Sequence, residues 1–254
     1  MQNVRKLVVL IGVAFGVAVI AACVLLFSVK KVSVEFSVYG ESQATEIRED
    51  LETFNGRNIL FVKVSDVYAV CDKYPYYEIT AVKKEYPNVL KVNVKKRAEK
   101  FRLTADNGVF VLDGEGIVLN DTGVTEIAAN VIDLNAGDLT VVAEVGKKIT
   151  TSDDGLFFAV ITSAQTLNIS DCVKNISIDK LNVGGTDFRR DAVFETHTGV
   201  KVTVEDVDDD GAAKINAAFI KYESLSDYEK TVKDIIAYKS GGEIVAVWTS
   251  HYSG

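Results

Sequence analysis

Residues Leu7 to Val29 form an uncharged, mostly apolar run of 23 residues (29 − 7 + 1), with Arg5 and Lys6 before it and Lys30 and Lys31 after it. At about 1.5 Å of rise per residue, a helix of that length reaches across a hydrocarbon layer of ~30 Å. Soluble helices carry a polar face, and this segment has none. The run therefore predicts a transmembrane helix over 7–29, with residues 1–6 as a short cytoplasmic tail. Two cleaved-signal readings compete with it. The basic start and small residues near Ala21 fit a secretory signal, and Ile20-Ala21-Ala22-Cys23 fits the lipid-attachment box of bacterial lipoproteins. Against both, Val24-Leu25-Leu26-Phe27 continues the apolar run beyond the cleavage point. A leader too short to fold favours the N-terminus inside and the remaining chain outside.

The rest of the composition narrows the function by exclusion. Across 254 residues, 28 basic and 36 acidic side chains give a net charge of −8, which argues against a nucleic-acid partner, since phosphate neutralisation needs clustered cations. Cys23, Cys71 and Cys172 form no CxxC pair, which removes zinc ribbons and disulfide scaffolds. His197 and His251 are the two histidines, and neither has a cysteine or carboxylate at ligand spacing. No GxSxG, Walker, GxGxxG or HExxH string occurs. Asp206-Val207-Asp208-Asp209-Asp210-Gly211 matches the start of a calcium loop, but Ala217 stands where the bidentate Glu belongs, so an acidic turn is the better reading. The reading is a protein without metal, cofactor or catalytic chemistry.

Past the apolar run, the chain divides by charge. Residues 32–97 hold 10 basic and 10 acidic side chains, whereas 98–254 hold 14 and 26. Such a break predicts a domain boundary near Arg97. In the first part Val32, Val34, Phe36 and Val38 alternate as a half-buried strand. Ile47, Leu51 and Phe54 follow at helical spacing, with Ser42 as a cap and Asn55-Gly56 as the stop. Ser65 is placed to cap a second helix with Val67, Val70, Cys71 and Tyr74 on one face, and Pro75 stops it. Tyr77 to Lys84 reads as a strand, Glu85 to Asn88 as a turn, and Leu90, Val92 and Val94 as the inward face of a last strand. The order is β-α-α-β-β, with both helices covering one face of a three-stranded sheet.

The stretch Tyr74-Pro75, the run Val82-Lys83-Lys84-Glu85-Tyr86-Pro87-Asn88-Val89-Leu90-Lys91-Val92-Asn93-Val94 and the entry Asn58-Ile59-Leu60-Phe61 resemble the POTRA domain of FtsQ/DivIB cell-division proteins. Gly108 to Leu119, an apolar strand leading into Asp113-Gly114-Glu115-Gly116, resembles the segment that follows it in that family. The resemblance implies an α+β fold: a POTRA domain over 32–97, a β domain with a mainly antiparallel sheet over 98–250, and a tail over 251–254.

In the second part, Leu156 to Leu167 reads as a helix after a cap region at Thr150 to Asp154. Ile215, Ala218, Phe219 and Tyr222 form a second helical face, and Val200, Val202 and Val204 a strand. Ile244 to Trp248 lies near the chain end and is placed to be a sheet edge with unpaired backbone groups. Tyr238-Lys239-Ser240-Gly241 followed by Trp248 resembles the last hairpin of the family, where a partner peptide adds a strand. The implied partner-binding residues are Tyr238, Ser240, Gly241, Ile244, Val245 and Trp248.

What the resemblance implies for function is a divisome scaffold in the bacterial cytoplasmic membrane. Residues 7–29 sit in the bilayer, and the C-terminus lies outside at the septum. FtsB/DivIC-like and FtsL-like coiled-coil proteins are the partners, other divisome proteins dock on the POTRA domain, and the whole links ring assembly to septal peptidoglycan synthesis. Two readings of other classes stay open: a lipoprotein or secreted ligand-binding module or enzyme cleaved near Cys23, and a POTRA-bearing secretion or chaperone component.

Overall fold

The computed structural model describes residues 2–37, 42–121, 130–185 and 187–250. The chain forms two compact units, Met1–Arg97 and Ala98–Gly254. The division falls where the charge balance changes.

The first unit opens with helix α1 (Gln2–Leu26). Among the described residues, no helix is long and apolar enough to cross a membrane. The described side chains of α1 run from Leu10 to Leu26, so the start of the expected 7–29 span lies outside them. Its expected end is corrected. The helix stops at Leu26 because the next backbone groups pair elsewhere: Val29 N–H donates to Arg57 O at 2.8 Å, Gly56 N–H donates to Val29 O at 2.8 Å, and Lys30 N–H donates to Asn88 O at 2.9 Å. Val29 is accordingly a core residue of the domain that follows, 2% exposed.

That domain comprises β1 (Lys31–Phe36), α2 (Ser42–Glu52), α3 (Val64–Tyr68) continued by a 3-10 turn over Ala69–Lys73, β2 (Tyr77–Glu85) and β3 (Val89–Lys96). The β-α-α-β-β order is the expected one, and the sheet order is β1-β3-β2, with β1 parallel and β2 antiparallel to the central strand. Ile47 and Leu51 from α2 and Leu90 and Val92 from β3 are fully buried in one cluster. Each such side chain stabilises the fold by roughly 1.5–3 kcal/mol. Ser65 is not the cap of the second helix; Lys63 holds that position without a side-chain bond, and Ser65 bonds Asp66 instead. Val38 and the side chain of Ser42 lie outside the described residues.

The second unit is built on β4 (Phe101–Ala105), β5 (Gly108–Leu112), β6 (Val118–Asn120), β7 (Ile132–Asn135), a small pair β8 (Val141–Val142) and β9 (Thr150–Thr151), α4 (Asp154–Thr166), β10 (Val173–Gly184), β11 (Asp187–Thr196), β12 (Lys201–Val204), α5 (Gly211–Glu223), β13 (Lys233–Ser240) and β14 (Glu243–Ser250). Nine strands make one sheet in the order β14-β13-β12-β11-β10-β7-β4-β5-β6. The fold class is thus α+β with a large, mostly antiparallel sheet. Parallel contacts occur at β4–β7, β7–β10 and β12–β13. A parallel pair needs a crossover, and α4 supplies it between β7 and β10 as α5 does between β12 and β13.

Local chemistry explains the elements. Asp113, only 5% exposed, accepts from the N–H groups of Glu115 and Ile117 and so turns β5 towards β6. The Asp153 carboxylate caps α4 by accepting from Leu156 N–H at 3.1 Å. Helix α5 buries Ile215, Ala218, Phe219 and Tyr222, one stripe at i, i+3, i+4 and i+7. Both helices share a single core with the inward side chains of the sheet, among them Leu103, Ile176, Phe194, Val202 and Ile235. The other face carries Arg102, Asp133, Asn175 and Ser177, all partly exposed, and among the described residues it is the open one.

Candidate partner-binding edge strand

The last hairpin turns on Gly241 and Gly242, with φ of +60° and +89°. A two-residue loop with both residues left-handed matches the twist of the strands it joins, and glycine adopts that backbone at least cost. Ser240 stands opposite Glu243, and the register runs without a bulge to Lys233 opposite Ser250.

That register settles which backbone groups are spent. Beside a two-residue turn the flanking pair exchanges hydrogen bonds, and the pattern alternates from there. Glu243, Val245, Val247 and Thr249 therefore bond β13, while the N–H and C=O groups of Ile244, Ala246, Trp248 and Ser250 point away from it. An independent bond agrees: Ala237, opposite Ala246, gives its carbonyl to Glu205 N–H on the β12 side at 2.9 Å. Among the described residues β14 has no neighbour on its outer side.

The unit repeats itself here. The order β7-α4-β10-β11 recurs as β12-α5-β13-β14, each with a parallel pair around its helix followed by a hairpin. The first hairpin's outer strand, β11, is already covered by β12, antiparallel, with Ala192 opposite Val204 and Phe194 opposite Val202. In the second hairpin, β14 occupies the corresponding place, and among the described residues nothing pairs with its outer side.

The side chains proposed from sequence fall into one hairpin but onto two faces. Tyr238 and Val245 are cross-strand partners on the open face. Ile244 and Trp248 lie on the helix-bearing face, where Ala246 between them packs against the core. Ser240 ends β13 and Gly241 is the first residue of the turn. Tyr238 and Trp248 therefore do not converge on a common contact. Trp248 is 48% exposed and has the Lys233 ammonium 3.8 Å from its ring centroid. Ile236 and Val247, partners beside Tyr238 and Val245, extend the open-face apolar strip and are not among the partner-binding residues that the resemblance implies. The alternation of Ile236 with Tyr238 and of Val245 with Val247 is the signal that marks them.

Charges around the hairpin are matched. Lys233 pairs with Glu229, and this bond, with those from Ser226, brings the Glu229 carboxyl down to about 2. Lys239 reaches Asp210 at 2.7 Å and Asp209 at 2.9 Å, which raises the ammonium and lowers Asp210. Lys214, fully buried, donates to the carbonyls of Glu205 and Asp206. The acidic turn at Asp206 to Asp210 is thus served by lysines. His197 sits at the β11–β12 hairpin tip, its N–H bonded to Cys172 O at 2.8 Å. His251 lies outside the described residues.

A separate concavity of about 450 Å3 lies on the open face, lined by Arg102, Thr104, Asp133, Asn135, Asn175 and Ser177 among others. Arg102 and Asp133 are ion-paired there, so its two charges offset each other, and Val109 and Leu134 add apolar surface to the lining.

No family model matches this chain, and no curated protein matches it either.

Proposed function

We propose that this protein is a membrane-anchored scaffold of the FtsQ/DivIB type, which recruits FtsB/DivIC-like and FtsL-like proteins and has no bond-making chemistry of its own. The observation that carries the reading is the outer side of β14, uncovered among the described residues, at the place where its counterpart β11 already holds a strand. A strand from another chain, added antiparallel as β12 is to β11, bonds to the outward groups of Ile244, Ala246 and Trp248 and lays alternate side chains on the two faces. The β-α-α-β-β unit and its motif likeness to the POTRA domain support the same assignment.

The anchor is supported by α1 itself. Leu10, Phe15 and Leu25 are 68%, 71% and 72% exposed. Water is a poor solvent for an apolar surface of that extent, and a bilayer is a good one.

Depletion should produce filamentous cells, and a photo-crosslinker at position 248 should capture a coiled-coil membrane protein. Normal septation after depletion removes the proposal. The open-face concavity favours a second reading, a ligand-binding module released by cleavage near Cys23. An intact mass lacking the residues before Cys23 selects that reading instead.

A further inference from the structure

In the first unit, the exposed large apolar side chains among the described residues outside α1 fall in one short stretch of chain, 60–68, and at Tyr86. Leu60, Phe61, Val64 and Tyr68 are 47%, 81%, 40% and 41% exposed, and Tyr86 is 60% exposed. Phe61 and its neighbours are tied to the end of α1 by direct bonds. Ile59 N–H donates to Phe27 O at 2.7 Å, Ser28 and Asn58 form a β-bridge, and Ser28 Oγ donates to Gly56 O at 3.1 Å. Tyr86 meets Phe27 edge-on, with ring centroids 6.4 Å apart. Leu60 is held in a tight turn by its N–H on Asn58 Oδ1 at 3.0 Å. Phe61 lies two residues beyond Ile59, at most about 8 Å of chain. Lys30, Lys31, Arg57 and Lys63, all exposed, lie in or next to the segments so joined.

We infer that this junction is a lipid-contacting surface: Leu60 and Phe61 enter the headgroup–acyl boundary of the bilayer that α1 occupies, while the four cations meet anionic headgroups. The inference rests on the reading of α1 as a membrane anchor. With α1 in the bilayer, the bonds from Phe27 and Ser28 leave the 56–61 loop at the level where the helix emerges. Aromatic and basic side chains are favoured at that depth, the rings for their partition and the cations for the negative surface. The surface thus sets the first unit directly on the membrane, with no flexible linker between.

The test uses the full chain in phosphatidylcholine–phosphatidylglycerol vesicles. Trp248 is the one tryptophan, so W248F gives a silent background for F61W and, on the outward face of β3, for N93W. The F61W indole should be quenched at least about twofold by lipids brominated near the headgroup, and more as phosphatidylglycerol is increased; the N93W indole should not respond. A chain that resists alkaline extraction but leaves the F61W indole unquenched overturns the lipid contact while leaving the anchor standing. A chain extracted by alkali overturns both.

Discussion

Lys233 holds its ammonium nitrogen 3.8 Å from the ring centroid of Trp248 although the two are not cross-strand partners; Lys233 stands opposite Ser250, and Trp248 opposite Ile235. The contact is diagonal, the second-nearest kind across an antiparallel pair. It fixes the indole beside the free edge of β14 while leaving nearly half of it exposed. If the proposed FtsB/DivIC-like strand is the partner, Trp248→Ala should lower affinity for it by about tenfold or more, the behaviour of an aromatic anchor in an interface. Calorimetry with a partner peptide measures it, and an unchanged urea midpoint separates binding from folding.

Adjacent positions in β14 should respond oppositely to proline. Ile244 points its N–H away from β13, so Ile244→Pro removes a donor that only an added strand uses. Val245 gives its N–H to β13, so Val245→Pro breaks the ladder itself. The first variant should fold and fail to capture the proposed partner; the second should lose roughly 1–3 kcal/mol of stability, the cost of leaving a β13 carbonyl without its donor. Equal capture by Ile244→Pro and the unaltered chain places the contact elsewhere.

Arg190 gathers three loops. Its guanidinium lies 3.1 Å from Asp138, 3.8 Å from Asp153 and 3.7 Å from Asp208, joining the segments before β8, before α4 and before α5. Arg190→Met should cost about 1–2 kcal/mol at neutral pH, as expected for a charged hydrogen bond that is partly solvated. The bond from Arg190 is the main reason the Asp138 carboxyl lies below its ordinary value. A lowered carboxyl stabilises the fold above its unfolded value and loses that contribution as pH falls through the folded one. Urea titrations should thus show the gap between the two proteins narrowing in acid.

Glu229 should remain ionised to about pH 2, because Lys233 and the Ser226 groups favour its charged form. Its contribution is present above the ordinary glutamate value and is lost as pH approaches 2. The side-chain carboxyl carbon shift, followed by NMR, reads this directly. In Lys233→Met the midpoint should rise towards the ordinary value near 4.3.

Much of the first unit was legible because its signals are local. Alternation at Leu90, Val92 and Val94, helical spacing at Ile47 and Leu51, and the stop at Pro75 each depend on neighbours a few residues away. The same holds for the Asp113 turn, the cap of α4 and the buried stripe of α5. The end of α1 was not legible, since Ser28 and Val29 are as uncharged as the residues before them. What stops the helix is the 56–59 segment, about thirty positions along the chain, which takes up their backbone bonds.

The hairpin divides in the same manner. That Ile244 to Trp248 is a strand, and that Gly241 stands in a turn, follows from residue type and spacing along the chain alone. Which side of that strand is free depends on long-range pairing: α5 carries β13 parallel to β12, β14 folds back outside it, and the register at Ser240 and Glu243 assigns alternate backbone groups to the ladder or to the edge. The same register sends Tyr238 and Trp248 to opposite faces. Periodicity reports how a segment divides its own surface, whereas the identity of its neighbour arises only when segments distant in the chain compete for the same hydrogen bonds.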